Sequence, residues 1–345
     1  MPIERSQLNE AAIIRLLRLE YGIAVTCTEE IFLGTANCYK LSDGTTHWFL
    51  KEFQSGFSEE NLRREAALTG FLHARHFPTA RMLPTLDGAP FVRVNNRLVC
   101  LQEFMDGIPC GDVLQKPALL QAAELLGWLH SLLKDYDLPD GMGADWLAQF
   151  SPERHAAAYE ELLKLLKPTD THFERIKADL LYKQALGVRL ADLPALFSGL
   201  TYCATHGDFS SVQFLCDDDK ITAVTDFSAA CRLPVVWELT RCFVQSSGVC
   251  QDGSTLDTAL FCEYLRHYLT RFSLTQADLR NLPYIYLFQL ARSRYGYKEY
   301  LTGTAENGTA LLEFAFRRTD VCRIFERDAA KIGKAVSKLI SRHPE

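Results

Sequence analysis

The sequence lacks the features that mark several classes of protein. No apolar run is long enough to span a bilayer, and the first residues carry no hydrophobic segment of a signal peptide, so we expect a cytoplasmic protein. The eleven cysteines are scattered and include no Cys-x-x-Cys pair, which argues against a zinc site. The chain also has no Walker motif, no dinucleotide-binding glycine motif, no internal repeat and no low-complexity tract.

The sequence has no large excess of charge of either sign. Its 37 lysines and arginines stand against 43 aspartates and glutamates, and the formal net charge of −6 offers no basic surface for nucleic acid. With 345 residues, 48% of them hydrophobic, the chain is long enough to form a core in each of two lobes. We therefore expect a globular protein without a nucleic-acid partner.

The most informative stretch is residues 206–213, with the sequence HGDFSSVQ, followed by a DFS segment that begins at Asp226. Between them, residues 212–216 and 221–225 have the pattern of short strands, and the polar run at 217–220 has the composition of a hairpin turn. Such a hairpin would bring Asp208, Gln213 and Asp226 together.

Two carboxylates and an amide at this spacing suit phosphoryl transfer. In that reaction the protein contributes mainly positioning and charge neutralisation. Asp208 is suited to accept the proton of an acceptor hydroxyl and to direct its oxygen at the γ-phosphorus. Gln213 and Asp226 offer the hard oxygens that magnesium prefers. The pattern therefore predicts an enzyme that uses ATP and Mg²⁺.

The motif resembles the catalytic loop of the aminoglycoside phosphotransferase, choline kinase and homoserine kinase superfamily. That loop reads His-Gly-Asp, four residues, then Asn, with a later Asp-Phe-Gly. This sequence departs from it twice, because Gln213 stands in place of Asn and Ser228 in place of the usual Gly. The extra methylene of Gln213 would displace or weaken the second metal position. The resemblance also implies that His206 braces the loop and that Asp208 is the base.

Upstream, the resemblance assigns two charged residues to the nucleotide. Lys51 lies on an apolar predicted strand at 47–53 and corresponds to the lysine that binds the α- and β-phosphates. Glu65, on a helix predicted at 58–74, corresponds to the glutamate that pairs with this lysine. The alternative for Glu65 is a solvated helical charge, but its spacing from Lys51 and the motif context favour the ion pair.

Four further positions are assigned to the nucleotide by resemblance. Gly34 and Asn37 fall in residues 33–38, which correspond to the loop over the phosphates, although a glycine between two strands is also typical of an ordinary turn. The strand predicted at 97–104 leads into a segment that resembles the hinge of the family. There, backbone groups near Glu103 and Met105 would meet the adenine edge.

The resemblance implies an α+β, protein-kinase-like bilobal fold. Residues 1–104 would form the nucleotide-binding lobe around a small antiparallel sheet, and residues 105–345 a larger, mainly helical catalytic and substrate-binding lobe. Helical patterns at 152–166 and 171–187 correspond to an insertion that helps to shape the acceptor pocket in this superfamily.

The acceptor implied by the resemblance is the hydroxyl of a small molecule. Aminoglycosides, amino alcohols, homoserine and sugar-like compounds all qualify, and the acidic balance of the chain weakly favours a cationic or neutral one. In style the sequence looks nearest to the bacterial spore-coat kinase-like branch. The alternative is therefore a non-catalytic nucleotide-binding or spore-coat-type protein that retains the fold.

Overall fold

The structure is a computed structural model that describes residues 4–6, 8–31, 36–138, 150–248, 255–305 and 307–340. The chain forms two compact units. The first consists of Pro2–Pro109 and Gln213–Ala229, and the second of Cys110–Val212 and Ala230–Glu345. Compared with the predicted division at residue 104, the first unit extends to residue 109 and also includes the strand pair that follows the HGDFSSVQ motif. The predicted position Gly34 lies outside the described residues.

An antiparallel sheet forms the centre of the first unit, with strand order β1-β2-β3-β6-β4 and β5 also paired with β6. The strands are β1 (Cys27–Ile31), β2 (Asn37–Ser42), β3 (His47–Glu52), β4 (Met82–Leu83), β5 (Val92–Val94) and β6 (Arg97–Glu103). Asp43 stabilises the turn between β2 and β3, because its Oδ1 accepts the backbone N–H groups of Thr45 and Thr46 at 2.8 and 2.7 Å. In this sheet Lys51 lies on the central strand β3, opposite Cys38 of β2 and Cys100 of β6.

Two helices belong to the first unit. Helix α1 (Glu10–Leu16) begins at Asn9, whose Oδ1 accepts the N–H of Ala12 at 2.9 Å. Helix α2 (Glu59–His73) begins after the N-cap Ser58, whose side chain accepts the N–H of Asn61, and it buries its apolar face among residues of the sheet. Glu65 lies three residues after the buried Leu62 and shares that face, so its side chain points into the unit and not into solvent.

The strand pair after the catalytic-loop motif joins the first unit through backbone hydrogen bonds. Strands β9 (Phe214–Asp217) and β10 (Lys220–Val224) form the predicted hairpin, and β9 also pairs with β7 (Ile108–Pro109). The N–H of Val224 donates to the carbonyl of Pro78 at 2.8 Å. These bonds hold Gln213 and Asp226, at the two ends of the hairpin, in the first unit.

The second unit is mainly helical. It also contains a two-stranded antiparallel ladder, β8 (Tyr202–Thr205) with β11 (Cys231–Pro234). Its helices are α3 (Lys116–Leu133), α4 (Pro152–Leu165), α5 (Phe173–Arg189), α6 (Val235–Ser246), α7 (Thr258–Leu269), α8 (Gln276–Arg292), α9 (Tyr297–Thr302) and α10 (Gly308–Ser337). Gly127 permits the close approach of α3 and α7, because a Cβ there would lie 2.6 Å from the carbonyl oxygen of Tyr268. None of the helices that the structure describes is long and apolar enough to cross a membrane.

Candidate active site

The loop that carries Asp208 lies in the second unit, between β8 and the first turn of a short helix. Gly207 has a φ of +81°, which favours glycine at this point of the loop. The backbone N–H of Asp208 donates to Nδ1 of the buried His206 at 3.2 Å, which is the bracing role that the resemblance implied for this histidine. The carboxylate of Asp208 remains about one-third exposed and pairs with the guanidinium group of Arg241 on α6. Asp208 is therefore both accessible and held in place.

The backbone of this loop is anchored by a buried carboxylate. Glu238, in the first turn of α6, accepts the N–H of Gly207 at 2.6 Å and the N–H of His206 at 3.2 Å. Nε2 of His130 lies 3.0 Å from the same carboxylate, and Nδ1 of His130 is 2.7 Å from the hydroxyl of Tyr268. The side chains of Glu238 and His130 are completely buried. The side chains of Glu238, His130 and Tyr268 thus form a network that fixes the peptide before Asp208.

Electrostatics keep Glu238 ionised in this setting. Burial alone raises the pKa of a carboxyl group, but here the hydrogen bond and charge of His130, together with His206 and the N–H of Gly207, hold the pKa of Glu238 below its ordinary value. Sequence analysis did not identify Glu238 as a residue that anchors this loop. A carboxylate in the first turn of an otherwise apolar helix was the signal that could have indicated this role.

The loop beyond Asp208 is also fixed within the second unit. The N–H of Ser211 donates to the hydroxyl of Ser246 at 2.9 Å, and the hydroxyl of Ser211 donates to the carbonyl of Asp112 at 2.8 Å. Ser211 and Ser246 are buried, so these bonds form away from water, where a lost partner is costly. The start of the Asp208 loop is therefore hydrogen-bonded to the first turn of α6, and the end of the loop to the last residue of α6.

Lys51, Glu65 and Asp226 come together in the first unit. Nζ of Lys51 lies 3.8 Å from Oδ1 of Asp226, and the Lys51 side chain is only 15% exposed. Burial by itself lowers the pKa of Lys51, yet Asp226 and then Glu65 outweigh it and raise this pKa above its ordinary value. The structure thus maintains a charged lysine beside the predicted metal ligand.

Glu65 occupies the buried side of this group. Burial, only partly offset by Lys51, raises the pKa of Glu65 to about 7, and the N–H of Phe227 donates a hydrogen bond to the carboxylate. Among the described residues, the ion pair that Lys51 makes within 4 Å is with Asp226 and not with the expected Glu65. Glu65 acts on Lys51 at longer range and contacts the backbone next to Asp226.

The hairpin base places Gln213 and Asp226 on neighbouring backbone. The carbonyl of Gln213 accepts both the N–H and the hydroxyl of Thr225, at 2.8 and 3.0 Å. Asp226 has a φ of +61°, a left-handed conformation that is uncommon outside glycine, and Ser228 donates its N–H to Oδ1 of Asp226 at 3.4 Å. The strained backbone turns the Asp226 side chain toward Lys51 and leaves it 36% exposed.

The other described residues that were predicted to bind the nucleotide are Asn37, Glu103 and Met105. Asn37 is buried at the start of β2, and its Nδ2 donates to the carbonyl of Glu4 at 3.0 Å. The N–H of Glu103 donates to the carbonyl of Arg81 at 3.2 Å, so that donor is already engaged inside the sheet. Met105 follows β6 and is half-buried. An adenine contact through Met105 stays a prediction.

Metal binding by the protein alone is not indicated in the part of the chain that the structure describes. No group of three or more His, Cys, Asp or Glu side chains lies close enough there to hold a metal ion. Asp226 and Gln213 supply a carboxylate and an amide on adjacent backbone. A magnesium ion at this position would therefore need further oxygens from a bound phosphate or from water.

The order and geometry of these residues agree with a match to a known family. A family model described as the phosphotransferase enzyme family (APH) matches residues 31–283, well over half of the chain. The chain belongs to this family. The phosphotransferase match includes Lys51, Glu65, Asp208, Gln213 and Asp226, and it confirms the predicted superfamily. The chain is accordingly an enzyme, a small-molecule kinase that uses an alcohol group as acceptor.

Solved structures of phosphotransferases confirm the α+β, kinase-like fold. An aminoglycoside phosphotransferase from Alicyclobacillus acidocaldarius superposes with a TM-score of 0.66 at 15% identity, over 97% of this chain and 98% of that one. A microcompartment-associated aminopropanol kinase gives a TM-score of 0.61 at 14% identity, over 94% and 99% of the two chains. Spectinomycin phosphotransferase in complex with ADP and spectinomycin gives 0.59 at 14% identity, over 97% and 100%. No curated protein matches the chain.

Proposed function

We propose that this protein is an ATP- and Mg²⁺-dependent phosphotransferase that acts on the hydroxyl of a small molecule. The observation that carries the proposal is the distance of 3.8 Å between Nζ of Lys51 and Oδ1 of Asp226, with the buried Glu65 beside them. A half-exposed carboxylate next to a buried ammonium group fits a ligand that is itself a cation–polyphosphate complex.

The residues of the first unit suit both parts of magnesium ATP. The Lys51 ammonium would bind phosphate oxygens, and Asp226 with the Gln213 amide would bind the metal. Two carboxylates maintain the charge of Lys51, so its ammonium group can bind phosphate oxygens while it is held in place. Bound magnesium ATP supplies the transferable γ-phosphoryl group and neutralises charge on it.

Asp208 of the second unit suits the acceptor. Its carboxylate is accessible, and the Glu238 network and Arg241 fix its position. A positioned carboxylate can accept the proton of an alcohol as the oxygen attacks phosphorus. Four residues of chain lie between Asp208 and Gln213, which is the spacing of the family's catalytic loop.

The acceptor class is proposed from relatives of the same fold. The structural neighbours include proteins described as a spectinomycin phosphotransferase, an aminopropanol kinase and an amicoumacin kinase. All three descriptions name phosphoryl transfer to a small molecule. We propose the same reaction class here, in the cytoplasm, where ATP is supplied.

Two measurements test this function. Thermal shift with ATP, with and without magnesium, should show stabilisation that depends on both, because a ligand that binds only the folded state raises its stability. A library of small hydroxyl compounds should then give ADP release with at least one member. ADP release from no compound, combined with no magnesium-dependent stabilisation, would contradict the proposal.

A second candidate function is a non-catalytic nucleotide-binding or spore-coat-type protein. The presence of Gln213 where the family has Asn favours it, because a displaced amide weakens a metal position. ATP-dependent stabilisation without turnover of any compound would support this candidate. The retained Lys51, Glu65, Asp208 and Asp226 favour the enzyme, since buried charges are costly to keep without a ligand.

A further inference from the structure

A small cavity in the second unit lies between the start of α4 and the residues that follow α8. Its volume is about 170 Å³, and its walls include Arg154 and His155 from α4 and Arg292 and Arg294 from the end of α8 and the segment after it. Phe150 and Ser151 complete the side next to α4. The cavity is large enough for one compact chemical group.

The charge of the cavity wall is positive. Three arginines contribute to it, and none of its eight described lining residues is acidic. Glu153, next to Arg154 in the sequence, is exposed and accepts the hydroxyl of Ser151 at 2.5 Å. Positive charges at close range repel one another, and an anion that binds between them reduces the free-energy cost of this repulsion. The positive charge also acts on His155, because burial first and then the charges of Arg292 and Arg294 lower the pKa of this histidine.

The cavity wall is rigidly built. The hydroxyl of the buried Tyr159 donates to the carbonyls of Ala291 and Ser293 at 2.7 and 3.1 Å, and Nζ of Lys183 donates to the same Ser293 carbonyl at 2.6 Å. Nε2 of His155 donates to the carbonyl of Lys183 at 3.0 Å. These bonds fix the backbone that carries two of the arginines.

Aromatic side chains orient one of the guanidinium groups. The guanidinium carbon of Arg292 lies 5.4 Å from the ring centres of both Phe150 and Phe288. Stacking on aromatic faces limits the rotamers of an arginine. The position of Arg292 in the cavity is therefore preorganised.

The segment after α8 also contains a residue that responds to the charge of Asp208. Tyr295 directly follows Arg294 and is 52% exposed. Its phenol is within electrostatic range of Asp208, since burial, Glu299 and then Asp208 raise the pKa of Tyr295. The segment that carries Arg294 of the cavity therefore also carries a tyrosine whose pKa responds to the charge of Asp208 in the same unit.

We propose that this cavity binds the anionic group, a carboxylate or a phosphate, of an acceptor whose hydroxyl is directed to Asp208. The inference rests on the proposed function and specifies its substrate class. Arg154, Arg292 and Arg294 would hold the anion through charge-assisted hydrogen bonds, for which the planar guanidinium is well shaped. The net charge of −6 weakly favoured a cationic or neutral acceptor, but the local charge of the cavity selects an anionic one.

The first experiment measures turnover with matched acceptors. ADP release is compared for hydroxy acids, hydroxyalkyl phosphates, and neutral or amino alcohols of the same carbon skeleton. We expect turnover of the hydroxy acids or of the hydroxyalkyl phosphates. The series that is turned over shows whether the cavity binds a carboxylate or a phosphate. Arg294→Gln and Arg154→Gln should each raise the KM of that acceptor by about 10- to 100-fold, the effect of losing a hydrogen bond to a charged group, and should leave the KM of ATP unchanged.

Two variants control for fold and net charge. Arg294→Lys keeps the charge and should recover part of the affinity, whereas Arg317→Gln removes an equally charged but exposed residue of α10 and should have no effect. Turnover restricted to neutral or cationic acceptors, or an anionic acceptor that is indifferent to Arg154 and Arg294, would overturn the anion inference and leave the kinase function intact.

The second experiment does not depend on turnover. Inorganic phosphate and the hydroxy acids are titrated by calorimetry into the full chain, into Arg294→Gln and into Lys51→Met. Binding lost in Arg294→Gln but kept in Lys51→Met supports the cavity even if no acceptor is phosphorylated. Binding lost only in Lys51→Met places the anion in the nucleotide phosphate site, and no binding to the parent chain rejects the cavity; either result contradicts the inference.

Discussion

Arg241, a residue of α6, binds the carboxylate of Asp208 through its guanidinium group. The Arg241 side chain is only 14% exposed and rests 5.9 Å from the ring centre of Trp237. Arg241 therefore positions the proposed base from a helix whose first turn also anchors the base's own loop through Glu238.

Replacing Arg241 should impair catalysis more than nucleotide binding. Arg241→Gln removes the charge that orients Asp208, and we expect kcat to fall by about 10- to 100-fold, with the KM of ATP unchanged. Arg241→Lys should recover part of kcat because it restores the charge without the planar fork. Steady-state kinetics check this, and equal losses in the Gln and Lys variants would argue against an electrostatic positioning role.

Asp208→Asn should nearly abolish transfer. An amide cannot accept the proton of the acceptor hydroxyl, and loss of a positioned base costs about 10²- to 10⁴-fold in rate. Thermal shift with ATP should be unchanged, since Asp208 serves the acceptor. Asp219→Asn, in the exposed hairpin turn, is the matched control. Turnover at the parent rate would show that Asp208 is not the base.

Glu238 predicts a dependence of stability on acid pH. Its pKa in the folded chain lies below the ordinary value of 4.5, so the ionised group stabilises the fold above about pH 4.5. That contribution is lost as the pH falls through the lowered pKa. The Tm of the parent should therefore decrease between pH 6 and pH 3 more steeply than the Tm of Glu238→Gln.

At neutral pH, Glu238→Gln should destabilise the chain. The amide leaves at least one buried N–H or imidazole donor without an acceptor, which costs about 1–3 kcal/mol for each such group. Urea unfolding at pH 7 measures this loss, and Glu313→Gln, exposed on α10, is the control. Parallel pH profiles of parent and Glu238→Gln would contradict the assigned pKa direction.

Lys51 and Glu65 should be coupled in nucleotide binding. Lys51→Met should weaken ATP binding strongly, and Glu65→Gln should weaken it less, because Glu65 acts through Lys51 and through the backbone of Phe227. The double variant should lose less than the sum, with a coupling of about 0.5–3 kcal/mol. Lys220→Met, at the exposed hairpin turn, controls for charge. Strict additivity would mean that the two residues act independently.

Gln213→Asn tests whether the unusual amide binds metal. The carbonyl of Gln213 is held by Thr225, so the backbone cannot move to compensate for a side chain shorter by roughly 1.5 Å, one carbon–carbon bond. We expect the midpoint of a magnesium titration of ATP binding to shift to higher concentration in the variant. A tighter magnesium response in Gln213→Asn, with the parent inert, would favour the binding-protein function.

Much of the candidate site could be predicted because its signals are local. The HGDFSSVQ motif, the hairpin turn at 217–220, the capped helix at Ser58 and the polar lysine on an apolar strand are each determined by residues within a few positions of one another. Short-range spacing and turn chemistry follow from backbone geometry, so they are readable without a fold. The interaction partners of those residues were harder to predict.

The pairing of Lys51 shows where local signals end. Sequence order and resemblance placed Glu65 beside Lys51, whereas the closer carboxylate is that of Asp226. Which of two acids comes within 4 Å depends on how α2 and the hairpin pack on the sheet. A left-handed residue at Asp226 decides the direction of its side chain, and no pattern in the sequence marks a positive φ at an aspartate.

The sequence by itself determined the order of the chemical groups and the family, and it predicted the lysine, glutamate, base and metal aspartate of the proposed reaction. Only the tertiary structure brought His130 to Glu238 across 108 residues, Arg241 to Asp208 across 33, and Arg292 and Arg294 to Arg154 of α4. The physical reason is that helix and strand periodicity is set by neighbours along the chain. Contacts between distant segments depend instead on how the core packs. Each polar group that is buried there needs a hydrogen-bond partner, and that partner often comes from a distant part of the chain.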